Sequence, residues 1–439
     1  MNSNILIARG MAVVLTASCG TATDVIQPPA IGRADTEITR FGAVADGTTP
    51  CTAAIQQAID ATAAKGGGRV VVPKGRFLSG PLVLASRIEL HLADGAVLLM
   101  GDDADLYPVT GNNRRTFLSA EDCHDIRLSG GGTIDGQGAA WWKAFREEKS
   151  GGVKSAPRRP QMIGIRNCER VEVEGITTLN PPNTHYSFKH CKNLVIRNIT
   201  ATAPDDSPNT DALNLSGVKN VLITGSSIST GDDNIVLLCG AAKTPGRPEV
   251  ENVTIRDCKL GFGHGLSIGS HTSGGVRNVT AENITFDGTT SGIRMKAWRD
   301  RGGVVEGIRY RNLRMRGVTY PIFISSYYPK EPAGPALDHP ADGASSDPVW
   351  RDIEISGVTI ADSRNSIILW GLPDQPIRGV SLKDITASAR AGAMVFHARD
   401  ITFSNVRITP AGGPELLTFD SETTGLKATG TSGERVKFK

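Results

Sequence analysis

The 439-residue sequence is poor in the large rings that fill most globular cores, since Phe, Trp and Tyr make up only 5% of it. It holds 50 glycines instead, which suits a chain that turns often and fills its interior with Val, Ile and Leu. The net charge is only +3, too small to indicate a nucleic-acid partner, although it tolerates an acidic substrate. Beyond the N-terminus no stretch has the ~20 apolar residues of a membrane span. We therefore expect neither nucleic-acid binding nor a transmembrane segment.

Close cysteine pairs are also absent. The seven cysteines are residues 19, 51, 123, 168, 191, 239 and 258. None of them forms the CxxC spacing that is typical of zinc or thioredoxin-type sites. We expect no metal, no cofactor and a monomeric protein.

The N-terminus is typical of an export signal. Apolar runs at 4–8 and 11–17 surround Arg9 and end in small residues. We predict a signal peptide or export segment over residues 1–25 and a secreted or periplasmic location. A lipoprotein anchor on Cys19 is disfavoured, because Thr16 stands where such sites usually carry Leu.

A short phrase recurs from about residue 123 onward, with steps of 23, 27, 32 and 26 residues between Val171 and Val279. Each copy alternates apolar and polar residues, which predicts a strand with one buried face. Strands at this period, separated by Gly, Asn and Asp turns, indicate a solenoid. A leucine-rich repeat has a similar period, but its fixed leucine pattern is missing. The copies are 125–128, 170–173, 193–196, 220–223, 252–255, 278–281, 307–310, 352–355, 379–382 and 400–403.

Two sets of residues recur at fixed offsets from these phrases. One residue before the first apolar position stand Asn193, Asn220, Asn252 and Asn278. Their amides are expected to hydrogen-bond from coil to coil. Three residues before it stand Cys123, Cys168 and Cys191, which we interpret as a stack of small hydrophobic side chains rather than a redox site.

The segment 52–65 ahead of the repeats is helix-like, with apolar residues at 54, 55, 58 and 59 and glycines from 66 to 68 that break it. The exposed end of a solenoid needs a cover, so we predict that this helix caps it. We predict one domain over 37–410, followed by a polar tail, 411–439, of uncertain structure.

A second apolar pair recurs later in each coil, and aligning the coils on this pair places the charged residues at common offsets. The pairs are 213/215, 235/237, 266/268, 293/295 and 322/324. Asp211, Asp233 and His264 fall two positions before the first member of a pair, and Asp232 falls three before. Because strands stack ~4.8 Å apart, residues at one offset form a column.

Three carboxylates in one patch repel one another, so we expect at least one raised pKa and a retained proton, as a general acid requires. Arg294 and Lys296 fall one and three positions after the first member of the pair on the following coil. Strand alternation puts both outside, where they suit a substrate carboxylate. A balanced surface acid cluster and a calcium site are the alternatives, and His264 argues against calcium.

The four motifs Asn-Thr-Asp (209–211), Gly-Asp-Asp (231–233), Gly-His-Gly (263–265) and Arg-Met-Lys (294–296) resemble, in order, those of the polygalacturonases. These enzymes are family 28 of the glycoside hydrolases, and the chain resembles their exported bacterial type. The resemblance implies an all-β, right-handed parallel β-helix that hydrolyses α-1,4-galacturonosidic bonds of pectin with inversion. Met295 replaces the usual Ile, Ala212 a common Gly and Pro181 a Ser, which leaves the substrate less certain than the chemistry.

The same resemblance assigns roles to residues. It implies that Asp232 is the general acid, that Asp211 and Asp233 activate water, and that His264 supports the acid. Arg294 and Lys296 would bind the galacturonate carboxylate beyond the cleaved bond. Substrate-binding candidates are also Asn209, Tyr328 (with Tyr327 close enough to confuse the choice) and, beside a turn, His185.

Inversion follows from the resemblance alone, because stacked neighbours lie nearer ~5 Å than the roughly 6.5–9.5 Å that is usual between inverting carboxylates. The expected partner is an acidic polysaccharide or oligogalacturonide. Alternatives are a rhamnogalacturonan or xylogalacturonan hydrolase, a calcium-dependent pectate lyase and a non-catalytic carbohydrate-binding β-helix. Two long segments, 139–160 and 329–348, either wall off one end of the cleft, which would favour chain-end attack, or are surface loops.

Overall fold

The computed structural model describes residues 26–111, 113–152, 155, 158–240, 248–337, 346–411, 415–431 and 434–437. The predicted export segment and Cys19 lie outside these ranges. Among the described residues, no helix has the length and apolar character needed to cross a membrane.

Short strands dominate the secondary structure. The two α-helices of the described chain are α1 (Thr52–Ala63) and α2 (Ala139–Lys149), and short 3-10 turns cover Ile38–Phe41, Ala104–Leu106 and Pro335–Leu337. The strands are β1 (Asp35–Glu37), β2 (Asp46–Pro50), β3 (Gly68–Val72), β4 (Gly75–Ser79), β5 (Leu82–Val83), β6 (Ile88–Leu92), β7 (Ala96–Met100), β8 (Val109–Thr110), β9 (Asn113–Arg114), β10 (Leu118–Glu121), β11 (His124–Ser129), β12 (Thr133–Asp135), β13 (Ile163–Arg166), β14 (Glu169–Glu174), β15 (Thr177–Leu179), β16 (Tyr186–Lys189), β17 (Lys192–Arg197), β18 (Thr200–Thr202), β19 (Leu213–Ser216), β20 (Lys219–Thr224), β21 (Ser227–Ser229), β22 (Ile235–Leu238), β23 (Val250–Arg256), β24 (Lys259–Leu260), β25 (Leu266–Ile268), β26 (Val276–Asp287), β27 (Ser291–Lys296), β28 (Val304–Arg316), β29 (Tyr320–Ser325), β30 (Val349–Ser363), β31 (Ile367–Trp370), β32 (Ile377–Ala389), β33 (Ala393–Phe396), β34 (Ala398–Pro410), β35 (Glu415–Phe419), β36 (Lys427–Thr429) and β37 (Glu434–Lys437).

Apart from β8 and β9, which form a small antiparallel pair, these strands stack in parallel as a right-handed parallel β-helix, which confirms the predicted fold. All ten copies of the repeated phrase lie in strands of one large sheet, from β11 and β14 to β32 and β34. The second apolar pairs lie in a separate 13-stranded sheet that runs from β5 to β37. In a coil such as the one from β14 to β16, two strands join the large sheet and one joins the 13-stranded sheet. The apolar residues of the stacked coils form one continuous core.

The first residue of each phrase adopts the left-handed backbone region. Its φ lies between 50° and 68° in all ten copies. Asn, Asp and Gly enter this region at the lowest cost, which explains why they recur there. The predicted asparagine ladder also forms: the amide of Asn220 donates to Asn193 at 3.4 Å, Asn252 to Asn220 at 3.0 Å and Asn278 to Asn252 at 3.2 Å.

The cysteine stack follows the prediction as well. Cys168 and Cys191 are buried in the core and Cys123 packs against it, and all three are free thiols. They fill space beside the asparagine turn, as small hydrophobic side chains do.

Helix α1 packs on the first coil through Ile55, Ala58 and Ile59, which are fully buried. It contacts β1, β3, β5 and β6 and so covers the N-terminal end of the core, as predicted for a cap. The stack also continues past residue 410, because β35 pairs with β33 and β36 pairs with β34. The described part of the predicted tail thus adds strands to the helix.

Candidate active site

The polar residues of the predicted site meet on the outer face of the 13-stranded sheet. In the strand register Leu213 lies beside Ile235, which is followed on the next coils by Leu266 and Ile293. This register is the one that the apolar pairs predict. The turns ahead of these strands therefore stack as well. A cavity of about 270 Å³ lies over them, and its lining includes Asn209, Asp211, Asp232, Asp233, His264, Arg294, Lys296 and Tyr328.

Asp211 is the aspartate whose protonated form the site favours. Burial, followed by the charges of Asp232 and Asp233, raises its pKa well above the usual range. Its carboxyl shares a hydrogen bond with Asp232 and accepts another from Asn214 Nδ2 at 3.4 Å. Burial and like charge both disfavour the ionised form of Asp211, so this carboxyl keeps its proton to a higher pH than an ordinary aspartate does.

Asp232 has the opposite character. Its burial favours the protonated form, but His264 and, more weakly, Lys296 outweigh burial and lower its pKa to about 2. His264 Nδ1 lies 3.1 Å from Asp232 Oδ1, and Asn209 Nδ2 donates to Asp232 Oδ2 at 3.3 Å. The substrate-free site therefore favours an ionised Asp232 beside the protonated form of Asp211.

Asp233 is neutralised by two cations. Lys296 Nζ lies 3.0 Å from its Oδ2, and Arg294 Nη1 lies 3.3 Å from its Oδ1. Ser267 Oγ donates to the same Oδ1 at 2.6 Å. Asp233 and Lys296 are only 6% and 5% exposed, and a buried charge at this depth requires such partners.

Tyr328, rather than Tyr327, belongs to this site. Its ring centroid lies 5.3 Å from Lys296 Nζ. Tyr327 instead packs edge-to-face on Trp298 and Trp370, with ring centroids 6.1 and 6.0 Å away. The two neighbours point to different places because they follow the end of a strand, where side chains alternate.

Asp232, Asp233 and His264 also form a group that is able to hold a metal ion, since one ligand atom from each lies within 4.8 Å of the others. Lys296 and Arg294 already neutralise Asp233, and their charges oppose the binding of a further cation. The arrangement favours acid–base chemistry by carboxyl groups.

The profile of Glycosyl hydrolases family 28 matches residues 64–389, a range that includes every residue of this site. The chain belongs to family 28 of the glycosyl hydrolases. It is therefore a glycoside hydrolase, and the hypothesis of a non-catalytic β-helix is wrong. A second profile, Rhamnogalacturonase A/epimerase, pectate lyase-like, matches residues 36–91, ahead of the site.

Relatives named for both modes of cutting are similar to this family 28 enzyme. An endo-polygalacturonase of Pectobacterium carotovorum subsp. carotovorum is 31% identical over 327 residues, covering 70% of this chain and 77% of the relative. An exopolygalacturonase of Zea mays is 32% identical over 360 residues, covering 80% and 82%. The solved structure of a hyperthermoactive exopolygalacturonase from Thermotoga maritima matches with a TM-score of 0.71 and 25% identity, covering 93% and 94%.

His185 lies apart from the site of this family 28 enzyme. Its side chain is completely buried, and its Nδ1 lies 2.9 Å from Thr178 Oγ1. Burial lowers its pKa to about 3, so the ring is neutral. A substrate on the outer face does not reach it, which corrects its selection as a substrate-binding candidate: proximity to the turn did not reveal that the ring points inward.

Three contributors were missed by the sequence reasoning. Asn214 and Ser267 touch Asp211 and Asp233, and both share the offset of Arg294, one position after the first apolar member of a pair. That shared offset was available as a signal. The third is Arg159, whose Nη2 donates to Asn209 Oδ1 at 2.8 Å. It comes from the long segment 139–160, where no periodic pattern singles it out.

The outer face becomes apolar one coil beyond Arg294. The next residues in its column are Phe323, Ile368 and Met394. A second cavity of about 250 Å³ lies here, lined by Tyr320 and Phe323 as well as by Arg294 and Tyr328. Aromatic side chains thus border the cleft on its C-terminal side.

Proposed function

We propose that this enzyme hydrolyses α-1,4-galacturonosidic bonds of polygalacturonate in pectin, by an inverting acid/base mechanism. One observation supports this most strongly: three aspartates, two of them with opposite pKa shifts, stand beside one buried lysine and one half-buried arginine on stacked coils. The carboxyls supply the acid and the base, and the cations select an acidic sugar.

The resting protonation suggests a sequence of proton movements. Asp211 passes its proton to Asp232 along the hydrogen bond that the two carboxyls share. Asp232 then donates this proton to the glycosidic oxygen as the glycosidic bond breaks. Asp211, now ionised, and Asp233 take the proton of the attacking water. When that proton reaches Asp211, the resting state is restored, and no other group has to be reset between turnovers.

The cations and His264 have supporting roles in this proposal. Arg294 and Lys296 bind the carboxylate of the galacturonate beyond the cleaved bond, and Tyr328 lies beside that sugar. His264, 3.1 Å from Asp232, stabilises its carboxylate after donation. We further propose a monomer, since one chain carries all of these groups, and export, since pectin is a polymer outside the cell and the first 25 residues resemble a signal.

The substrate and the mechanism can be tested with purified protein on polygalacturonate in excess chelator. We expect release of reducing ends without ultraviolet-absorbing unsaturated product, and NMR of the first product should show the inverted anomer. Loss of activity in chelator that is recovered with calcium, or an unsaturated product, would contradict the proposal in favour of lyase chemistry.

The same assay tests Asp232. Removal of a general acid lowers kcat by roughly 10²–10⁴-fold, so Asp232→Asn should fall in this range while it keeps its unfolding temperature. Asp205→Asn, an exposed acid in the neighbouring turn, is the matched control and should retain activity. Near-normal turnover by Asp232→Asn would show that another group is the acid.

A further inference from the structure

We propose that Arg159 is a positioning residue for the proposed catalytic pair of Asp211 and Asp232. It holds Asn209 against Asp232 from the N-terminal side of the cleft. This inference rests on the proposed hydrolase function. It concerns a residue outside the stacked coils, in the segment that follows α2.

The Arg159 guanidinium binds two neighbouring turns at once. Its Nη1 donates to the carbonyl of Pro182 at 3.1 Å and also to the carbonyl of Pro208. Its Nη2 donates to Asn209 Oδ1 at 2.8 Å. The Phe145 ring lies below it, with 4.1 Å from the guanidinium carbon to the ring centroid. A planar guanidinium that stacks on a ring and donates to three acceptors has little freedom to move.

The bond to Asn209 decides which way that amide faces. An amide has one acceptor end and one donor end, and Arg159 occupies the acceptor. The donor end, Nδ2, is therefore directed to Asp232 Oδ2, 3.3 Å away. Asn209 is largely exposed, so its rotamer would otherwise be free. The chain Arg159–Asn209–Asp232 thus fixes the orientation of the proposed acid.

The charge of Arg159 also acts on the proton-holding pair. Burial lowers its pKa to about 10, opposed by the charges of Asp211 and Asp232, so it stays cationic at neutral pH. The other titratable groups that line the site beside Asp211 and Asp232 all come from the C-terminal side of Asp211: they are Asp233, His264, Arg294 and Lys296. Arg159 is the cation that the described chain places on the opposite, N-terminal side.

A simpler role would be to pin the long segment to the turn at 203–209. Arg146 already does so: its Nη1 lies 3.3 Å from both the carbonyl and the carboxylate of Asp206. Arg146 contacts no member of the proposed site in the described residues. It is therefore a matched control that separates pinning from positioning.

The experiment compares Arg159→Gln, Arg159→Lys, Asn209→Ala and Arg146→Gln in full pH profiles on polygalacturonate. Arg159→Gln should lower kcat by roughly 10- to 100-fold with little change in KM. Loss of a nearby cation raises carboxyl pKa values, so the alkaline limb should move upward by ~1 pH unit. Arg159→Lys keeps the charge and should return the limb to its original position while kcat stays reduced.

Asn209→Ala should reproduce the loss of kcat, and combining it with Arg159→Gln should add little, because both break one chain. Arg146→Gln should match the wild type in kcat and in its profile. A wild-type kcat and limb for Arg159→Gln, or losses that follow its unfolding temperature without a shifted limb, would overturn the inference alone. An inactive wild type would overturn the proposed function and this inference with it.

Discussion

The Asp211 carboxyl lies in an environment that destabilises its ionised form. Burial and the charges of Asp232 and Asp233 raise its pKa well above the value of 3.8 that it has in an unfolded chain. A carboxyl whose pKa is raised by folding adds stability below the unfolded pKa and loses it as the pH rises through the folded pKa. The site is therefore a local source of instability at neutral pH, retained because the reaction needs a proton there.

Asp211→Asn should accordingly stabilise the fold while it lowers activity. Asn has the shape of the protonated acid and no charge to desolvate, so we expect a higher unfolding temperature at pH 7. The gain should shrink as the pH falls toward about 3, below the unfolded pKa, where Asp211 is mostly protonated in both states. Calorimetry at both pH values checks this, with Asp205→Asn as the exposed control. A gain equal at pH 7 and at about pH 3 would contradict the link to ionisation.

The asparagine turn combines two stabilising effects at one position. Asn220 has φ of 55°, and its amide bonds to Asn193 below and Asn252 above. The left-handed backbone disfavours residues with a Cβ other than Asn and Asp by about 1–2 kcal/mol. The amide bonds contribute about 0.5–1.5 kcal/mol each. Either effect alone would select a small polar residue, and together they select Asn.

Two substitutions at Asn220 separate these effects. Asn220→Ala loses both, and we expect a decrease of about 2–5 kcal/mol in the free energy of unfolding. Asn220→Gly keeps the backbone conformation and loses only the two amide bonds, so about 1–3 kcal/mol is expected. Denaturant titration measures both. Equal losses for the two variants would mean that the left-handed backbone contributes nothing here.

The whole molecule behaves as a stack in which each coil is stabilised by its neighbours. Its stability is then a sum of coil and interface contributions, and its ends depend on caps. Helix α1 is such a cap, because it buries Ile55 and Ile59 completely against the first coil. Loss of its packing should open the stack from one end rather than everywhere.

Ile55→Ala is the corresponding test. A buried Ile→Ala substitution costs about 2–5 kcal/mol, and hydrogen exchange should show faster opening of β3 and β6 with little change in β30 and β32. Gln57→Ala, on the exposed face of α1, should leave exchange unchanged. Uniformly faster exchange in all coils would show that the stack unfolds as one cooperative unit.

The sequence alone was sufficient for the repeat, the cap and the column of charged residues. Stacked coils repeat the same environment, so residues at one offset, such as Asp211, Asp233 and His264, become neighbours in space. The register of the described strands agrees with that alignment. For the same reason Arg294 and Lys296 were placed on the outer face correctly.

Only the tertiary structure decided what does not repeat. Side chains do not alternate regularly between two faces in turns. Only the coordinates therefore showed that His185 is buried and that Tyr328 rather than Tyr327 contacts Lys296. The pKa of Asp211 is raised because burial and neighbouring charge, rather than residue type, decide the pKa of a carboxyl. Arg159 reaches Asn209 from a segment with no periodic pattern. Periodic sequence specifies contacts between coils, whereas burial and contacts made by inserted segments depend on how the whole chain packs.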